Sequence, residues 1–191
     1  MIDSKLIWKA HYGAVIKKAN NVLAFLQRNL SNCPTNIKSE CFKTLVRPIL
    51  EYGCSVWDPH YQTDIQHFER VQKRAARFAT GNYVRESGNT KTNMQKLNWK
   101  PLEERRAQIK LNLFFKATKT NLVDIPIHHL DLNKMPTRRK NSHYTIPTSN
   151  VDSHLYSFYP STIRLWNTLP ASCKQQSSAD TFKANIEKNL Q

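Results

Sequence analysis

Residues 45–60 read LVRPILEYGCSVWDPH. Ile37, Cys41, Leu45, Ile49, Tyr52 and Val56 recur at steps of three and four, the spacing of one helix face, and the stripe runs through Pro48 in phase. A proline inside a helix removes one backbone hydrogen bond, clashes with the carbonyl four residues back and costs about 3 kcal/mol. It also disfavours the α conformation at the residue before it, here Arg47. The stretch therefore predicts a kinked helix, or two helices abutting at Pro48, wrapped around one core with Leu45, Tyr52 and Trp57 buried. Gly53 allows close packing near the end of that helix. Asp58-Pro59 then stops it, with Asp58 suited to cap the next element.

Outward from this kink the chain reads as further helices. On the N-terminal side, Trp8, Tyr12, Val15, Ala19, Val22 and Leu26 put a helix over residues 6–30, and Pro34 suits the first turn of the kinked one. On the C-terminal side, TDIQHFERVQKRAARFAT (63–80) opens with a possible capping box, Thr63-x-x-Gln66. At 100° per residue, Ile65, Phe68, Val71, Ala75 and Phe78 share one side. Arg70, Lys73, Arg74 and Arg77 fall within an arc of about 100° on the other. A short helix through Met94 and Leu97 comes next. A basic one spans Leu102–Lys119, with Leu102, Ile109, Leu113, Phe114 and Ala117 as its apolar positions. Glu103 and Glu104 suit the positive end of its dipole.

From Asn121 to Asn150 periodicity is lost, and Pro126, Pro136 and Pro147 punctuate a segment that includes KMPTRRKNSHY. SFYPSTIRLWNTLP (157–170) is too apolar for a free loop. It predicts a short helix over 161–167 docked on the core, followed by a last helix over 178–190 carrying Phe182, Ile186 and Leu190. The expected fold is mainly α: a helical bundle (1–120), an irregular basic loop (121–155) and a docked C-terminal helical extension (156–191).

The chain has 29 Lys and Arg against 14 acids, a formal charge of +15. That balance favours polyanions, above all nucleic acid. The cationic arc at 70–77 reads either as a solvated face or as a row of phosphate contacts. Its four cations unbroken by an acid put the second at least level with the first. Arg105 and Arg106 on the fourth long helix, and Arg138, Arg139 and Lys140 in the basic loop, complete the candidate nucleic-acid-binding set. Cys33, Cys41, Cys54 and Cys173 form no C-x-x-C pair and no disulfide framework. The N-terminus shows no signal-peptide core and no run approaches a membrane span, so an intracellular protein is expected, with no membrane partner. His128-His129 with Asp131 has metal-ligand chemistry, but in a Pro-rich loop it reads as polar surface. No cofactor or metal is expected. The chain has no Asp-Asp pair, no Gly-rich phosphate loop and no nucleophile elbow.

The segments KKANNVLAFLQRNL, LVRPILEYGCSVWDPH, FERVQKRAARF, LNWKPLEERRAQIKL and FYPSTIRLWNTLP occur in this order. Together they resemble the C-terminal region of reverse transcriptases of non-LTR (LINE-type) retrotransposons, of the jockey and CR1 kind. The resemblance covers about residues 5–185 and implies a thumb-like helical bundle, which grips a template–primer duplex by its backbone. The catalytic aspartates of that family lie in a palm domain upstream of the matched part, so no catalytic or metal residue carries over. The expectation is a non-catalytic fragment of an RNA-directed DNA polymerase. It would bind RNA, DNA or hybrid without sequence preference, with the palm of a longer parent protein as a possible partner. The alternative is a domesticated interaction protein, binding another protein through apolar surfaces around Trp57 and Trp166.

Overall fold

A computed structural model describes residues 8–84, 88–120, 144–148 and 150–189. The protein is mainly α-helical, and it divides into two compact units, Met1–Arg105 and Arg106–Gln191.

The first unit holds α1 (Lys9–Asn29), α2 (Thr35–Cys41), α3 (Arg47–Glu51), α4 (Cys54–Trp57), α5 (Gln62–Thr80) and α6 (Asn89–Lys96). α1 packs against α5 and α3, α2 packs against α5, and α5 packs against α6. The chain accommodates Pro48 by a specific device. Phe42–Val46 forms a π turn between α2 and α3, closed by the Arg47 N–H bonding to the Phe42 carbonyl five residues back. Pro48 then occupies the first turn of α3, where its missing N–H costs little. Arg47 stays in the α region, φ −58° and ψ −42°, so the pre-proline preference for extended backbone is overridden.

The buried face of this region is not the stripe expected. Phe42, Val46, Leu50, Cys54 and Trp57 are buried, whereas Leu45 is 50% and Tyr52 86% exposed, with Ile37 and Val56 also outside. Two apolar stripes compete for the core here, and the one in phase with Trp57 wins. Trp57 stacks on Phe68 at 5.4 Å, with Tyr12 edge-on to Phe68, while Phe42 stacks on Trp99 at 4.4 Å. Large aromatic surfaces carry more burial energy than Leu45 or Val56 can. Gly53 turns the chain at φ 67°, a left-handed value glycine adopts without cost, and the Trp57 indole N–H donates to the Tyr52 carbonyl at 2.9 Å. This clamp leaves the Tyr52 side chain in solvent.

α5 begins with Tyr61 as N-cap and no side-chain cap bond, so the Thr63–Gln66 capping box does not form, nor does Asp58 cap this helix. Its first turn still carries Asp64, favourable to the dipole. It ends at Gly81 in the left-handed conformation.

α7 (Leu102–Phe115) starts in the first unit and runs into a second π turn, Lys116–Thr120. The second unit adds α8 (Asp152–Leu155), α9 (Phe158–Thr168), α10 (Ala171–Lys174) and α11 (Ala179–Asn189). Its core joins Leu111, Phe114 and Phe115 of α7 to Ile163, Trp166, Cys173, Phe182 and Ile186. Phe115 stacks on Phe182 at 4.3 Å, and Phe182 meets Trp166 at 5.7 Å. That packing is why the division falls at Arg105, not at residue 120: most of α7 shares its core with the C-terminal tail. Within this unit the tail packs against α7, and Asn167 exchanges two hydrogen bonds with the Tyr144 backbone, at 3.1 and 2.9 Å. Lys174 is buried, its ammonium donating to the Asn167 carbonyl at 3.3 Å, and burial pulls its pKa below the ordinary lysine value. Trp57 and Trp166 are both core residues, so neither offers the interaction surface considered for them.

Urea denaturation of two alanine variants tests the choice of stripe. Leu50→Ala should cost about 2–5 kcal/mol, whereas Leu45→Ala should stay within about 0.5 kcal/mol. A large loss at Leu45 and a small one at Leu50 would restore the stripe in phase with Leu45.

Candidate nucleic-acid interface

α5 gives nearly half its circumference to the core. Ile65, Phe68, Val71, Ala75, Ala76, Phe78 and Ala79 are buried, and so are two polar residues among them, Glu69 and Gln72. These two point inward for a reason. The Gln72 side-chain amide donates to the Lys100 carbonyl at 2.8 Å. The Glu69 carboxylate accepts the Glu103 backbone N–H at 3.1 Å, placing an acid at the N-terminal end of α7, where orphan N–H groups and the dipole favour it.

The remaining face is basic. Arg70, Lys73 and Arg74 are exposed and Arg77 is half-buried. Among the described residues no carboxylate pairs with any of the four. The Arg74 guanidinium donates to the Gln27 side-chain oxygen of α1 at 3.2 Å, which restrains one cation of the row with a neutral partner. Lys38 of α2 lies over the Phe78 ring at 5.1 Å, at the same end of α5. Periodicity within α5 shows neither neighbour, because both come from other helices.

The other candidates separate. Arg105 is half-buried and forms a two-pronged pair with Glu51, Nε and Nη2 at 2.5 and 3.0 Å. Arg106 is fully buried, and Lys110 on the same helix is buried too. Arg105 is thus engaged by Glu51 and Arg106 by burial, which counts against both as phosphate contacts: a long cationic side chain in a sequence reads as surface unless its distant partner is known. Arg138, Arg139 and Lys140, with His128, His129 and Asp131, lie outside the described residues. Arg47 is a further interior cation. It is half-buried over the Phe42 and Trp99 rings at 5.5 and 5.6 Å. Burial and the nearby Arg105 charge pull its pKa down, while Glu51 and Glu40 oppose them.

Among the described residues no three of His, Cys, Asp and Glu come close enough to hold a metal ion, and no helix is long and apolar enough to cross a membrane. Comparison of the chain with protein-family models, curated proteins and solved structures found no match.

The two classes of arginine should behave oppositely under substitution. Arg70→Ala should leave stability within about 0.5 kcal/mol. Glu51→Ala leaves Arg105 half-buried without its carboxylate and should cost about 1–3 kcal/mol, between a surface and a buried pair. Chemical denaturation reads both. A neutral Glu51→Ala would return Arg105 to the surface set.

Proposed function

We propose that this protein is a nucleic-acid-binding helical module that grips the sugar–phosphate backbone through the outer face of α5 and has no polymerase or nuclease chemistry of its own. One observation carries the reading: Arg70, Lys73, Arg74 and Arg77 share the solvent face of a helix whose other face is locked in a core. The formal charge of +15 supports it. So does the sequence resemblance to the thumb region of LINE-type reverse transcriptases, in which the palm of a longer parent protein would supply catalysis. Binding is sequence-independent, because backbone contacts position a protein without reading bases.

A second reading rests on a different observation. Ile37 on α2, Leu45 on the π turn, Tyr52 just after α3 and Val56 on α4 are exposed apolar side chains, which suits a protein–protein interaction module without enzymatic activity. Its affinity for nucleic acid would be weak and shallow in salt.

Salt titration separates the two. Each neutralised phosphate releases counterions, so log affinity for duplex DNA should fall with log salt at about −0.9 per contact. Replacing Arg70, Lys73, Arg74 and Arg77 by alanine should reduce that slope by roughly two to four units, with the helical circular dichroism unchanged. An unchanged slope would make the row a solvated face.

Catalysis is tested independently. With Mg²⁺ or Mn²⁺ the isolated chain should extend no primer and nick no DNA, as the sequence without an Asp-Asp pair implies. Template-dependent extension by a preparation free of other polymerases would contradict this.

A further inference from the structure

We propose that Tyr83 is a base-stacking residue, and that the ligand of the α5 face is therefore a nucleic acid with unpaired nucleotides at its end. The inference rests on the backbone-binding reading above and narrows it to a substrate class.

Two features converge at the C-terminal end of α5. The first is a rigid mount. Gly81 turns the chain out of the helix, and the residues on both sides of Tyr83 are then held by an amide clasp. Asn82 donates its backbone N–H to the Thr80 hydroxyl at 3.3 Å and its side-chain amide to the Asn89 side-chain oxygen at 2.7 Å. Asn93 donates to the Asn82 carbonyl at 3.2 Å. The Val84 N–H bonds to the Asn82 side-chain oxygen at 3.2 Å, and the Val84 carbonyl accepts from Asn89 at 2.6 Å. α6 thus holds three consecutive residues in one conformation.

The second feature is what this mount displays. The Tyr83 side chain is 59% exposed, and among the described residues it meets no other ring and makes no hydrogen bond. Tyr61, before the other end of α5, differs: its ring lies 4.0 Å from His60. A tyrosine held by fixed backbone loses little entropy when a base stacks on it.

The ligand class is set by the geometry of base stacks. Arg70 to Arg77 covers about 10 Å of helix axis at 1.5 Å per residue, and Tyr83 lies beyond the last of them in the chain. In this proposal a strand held along the row continues past Arg77 and offers its bases to Tyr83. Inside a duplex both faces of every base are covered by neighbours, so a ring can stack only on an end or on unpaired nucleotides. Cations for the backbone beside an open aromatic face are the combination used for single strands.

The test uses the full chain and fluorescence anisotropy. The probes are a blunt DNA duplex and the same duplex with an oligothymidine overhang on either the 3′ or the 5′ strand. Wild type should bind one overhang duplex about 5- to 150-fold tighter than the blunt one, the range expected for stacking one base. Tyr83→Ala should erase that preference and Tyr83→Trp should keep it. The slope of log affinity against log salt should be the same in all three, because no phosphate contact is lost. Tyr52→Ala, at a more exposed tyrosine, should change nothing. A wild type without overhang preference, a Tyr83→Ala variant that keeps it, or an equal loss in Tyr52→Ala overturns the inference. A steep slope with no overhang preference overturns Tyr83 alone, while a flat wild-type slope overturns the α5 reading with it.

Discussion

Two buried polar side chains on α5 fix the rotation of that helix, and thereby the direction of its cations. Gln72 bonds to the Lys100 carbonyl and Glu69 to the Glu103 N–H. Stranding a buried polar group costs about 1–3 kcal/mol, so turning α5 away from these partners would forfeit both bonds. It would also withdraw Phe68 from its contacts with Trp57 and Tyr12. With the inner face held on two counts, Arg70, Lys73, Arg74 and Arg77 are turned to the outer side of α5, where Arg77 stays half-buried and Arg74 reaches Gln27. The row is a consequence of the core, which is why it can be rigid without any acid to hold it.

The same physics explains what could be read from the sequence. α5 was legible because its large apolar residues and its cations take opposite sides, so both emerge from spacing alone, although spacing did not show that Glu69 and Gln72 are buried with the apolar side. The helix through Pro48 was not, because it carries two apolar stripes. Periodicity finds both and cannot rank them. The signal that ranks them is Trp57, in phase with Val46, Leu50 and Cys54 and out of phase with Tyr52 and Val56, because the largest aromatic draws its own stripe inward. The π turn at Phe42–Val46 was equally invisible, although Pro48 announces some such adjustment.

Arg105 and Arg106 show a different limit. Their charge suggests solvent, yet Glu51, 54 residues earlier, claims one and burial claims the other. Pairings at that separation leave no local trace in the chain. The tail 158–189 was easier, since Phe158, Ile163, Trp166 and Phe182 are too apolar to stand free. The sequence did not tell that their partners would be Leu111, Phe114 and Phe115 of α7, which moves the unit boundary into that helix. The exposed stripe Ile37, Leu45, Tyr52 and Val56 is the other face of the same competition: a helix apolar on two sides can satisfy only one of them within its own unit.

The central claim is that position on α5, and not positive charge in general, selects the residues that meet nucleic acid. Arginine side-chain NMR reads this directly, because the Nε–H signals of Arg47, Arg70, Arg74, Arg77 and Arg105 can be tracked one by one as duplex is added. The account predicts shifts at Arg70, Arg74 and Arg77, with Arg47 on its aromatic rings and Arg105 on Glu51 unmoved. Shifts at Arg47 and Arg105 with the three α5 arginines silent would contradict it.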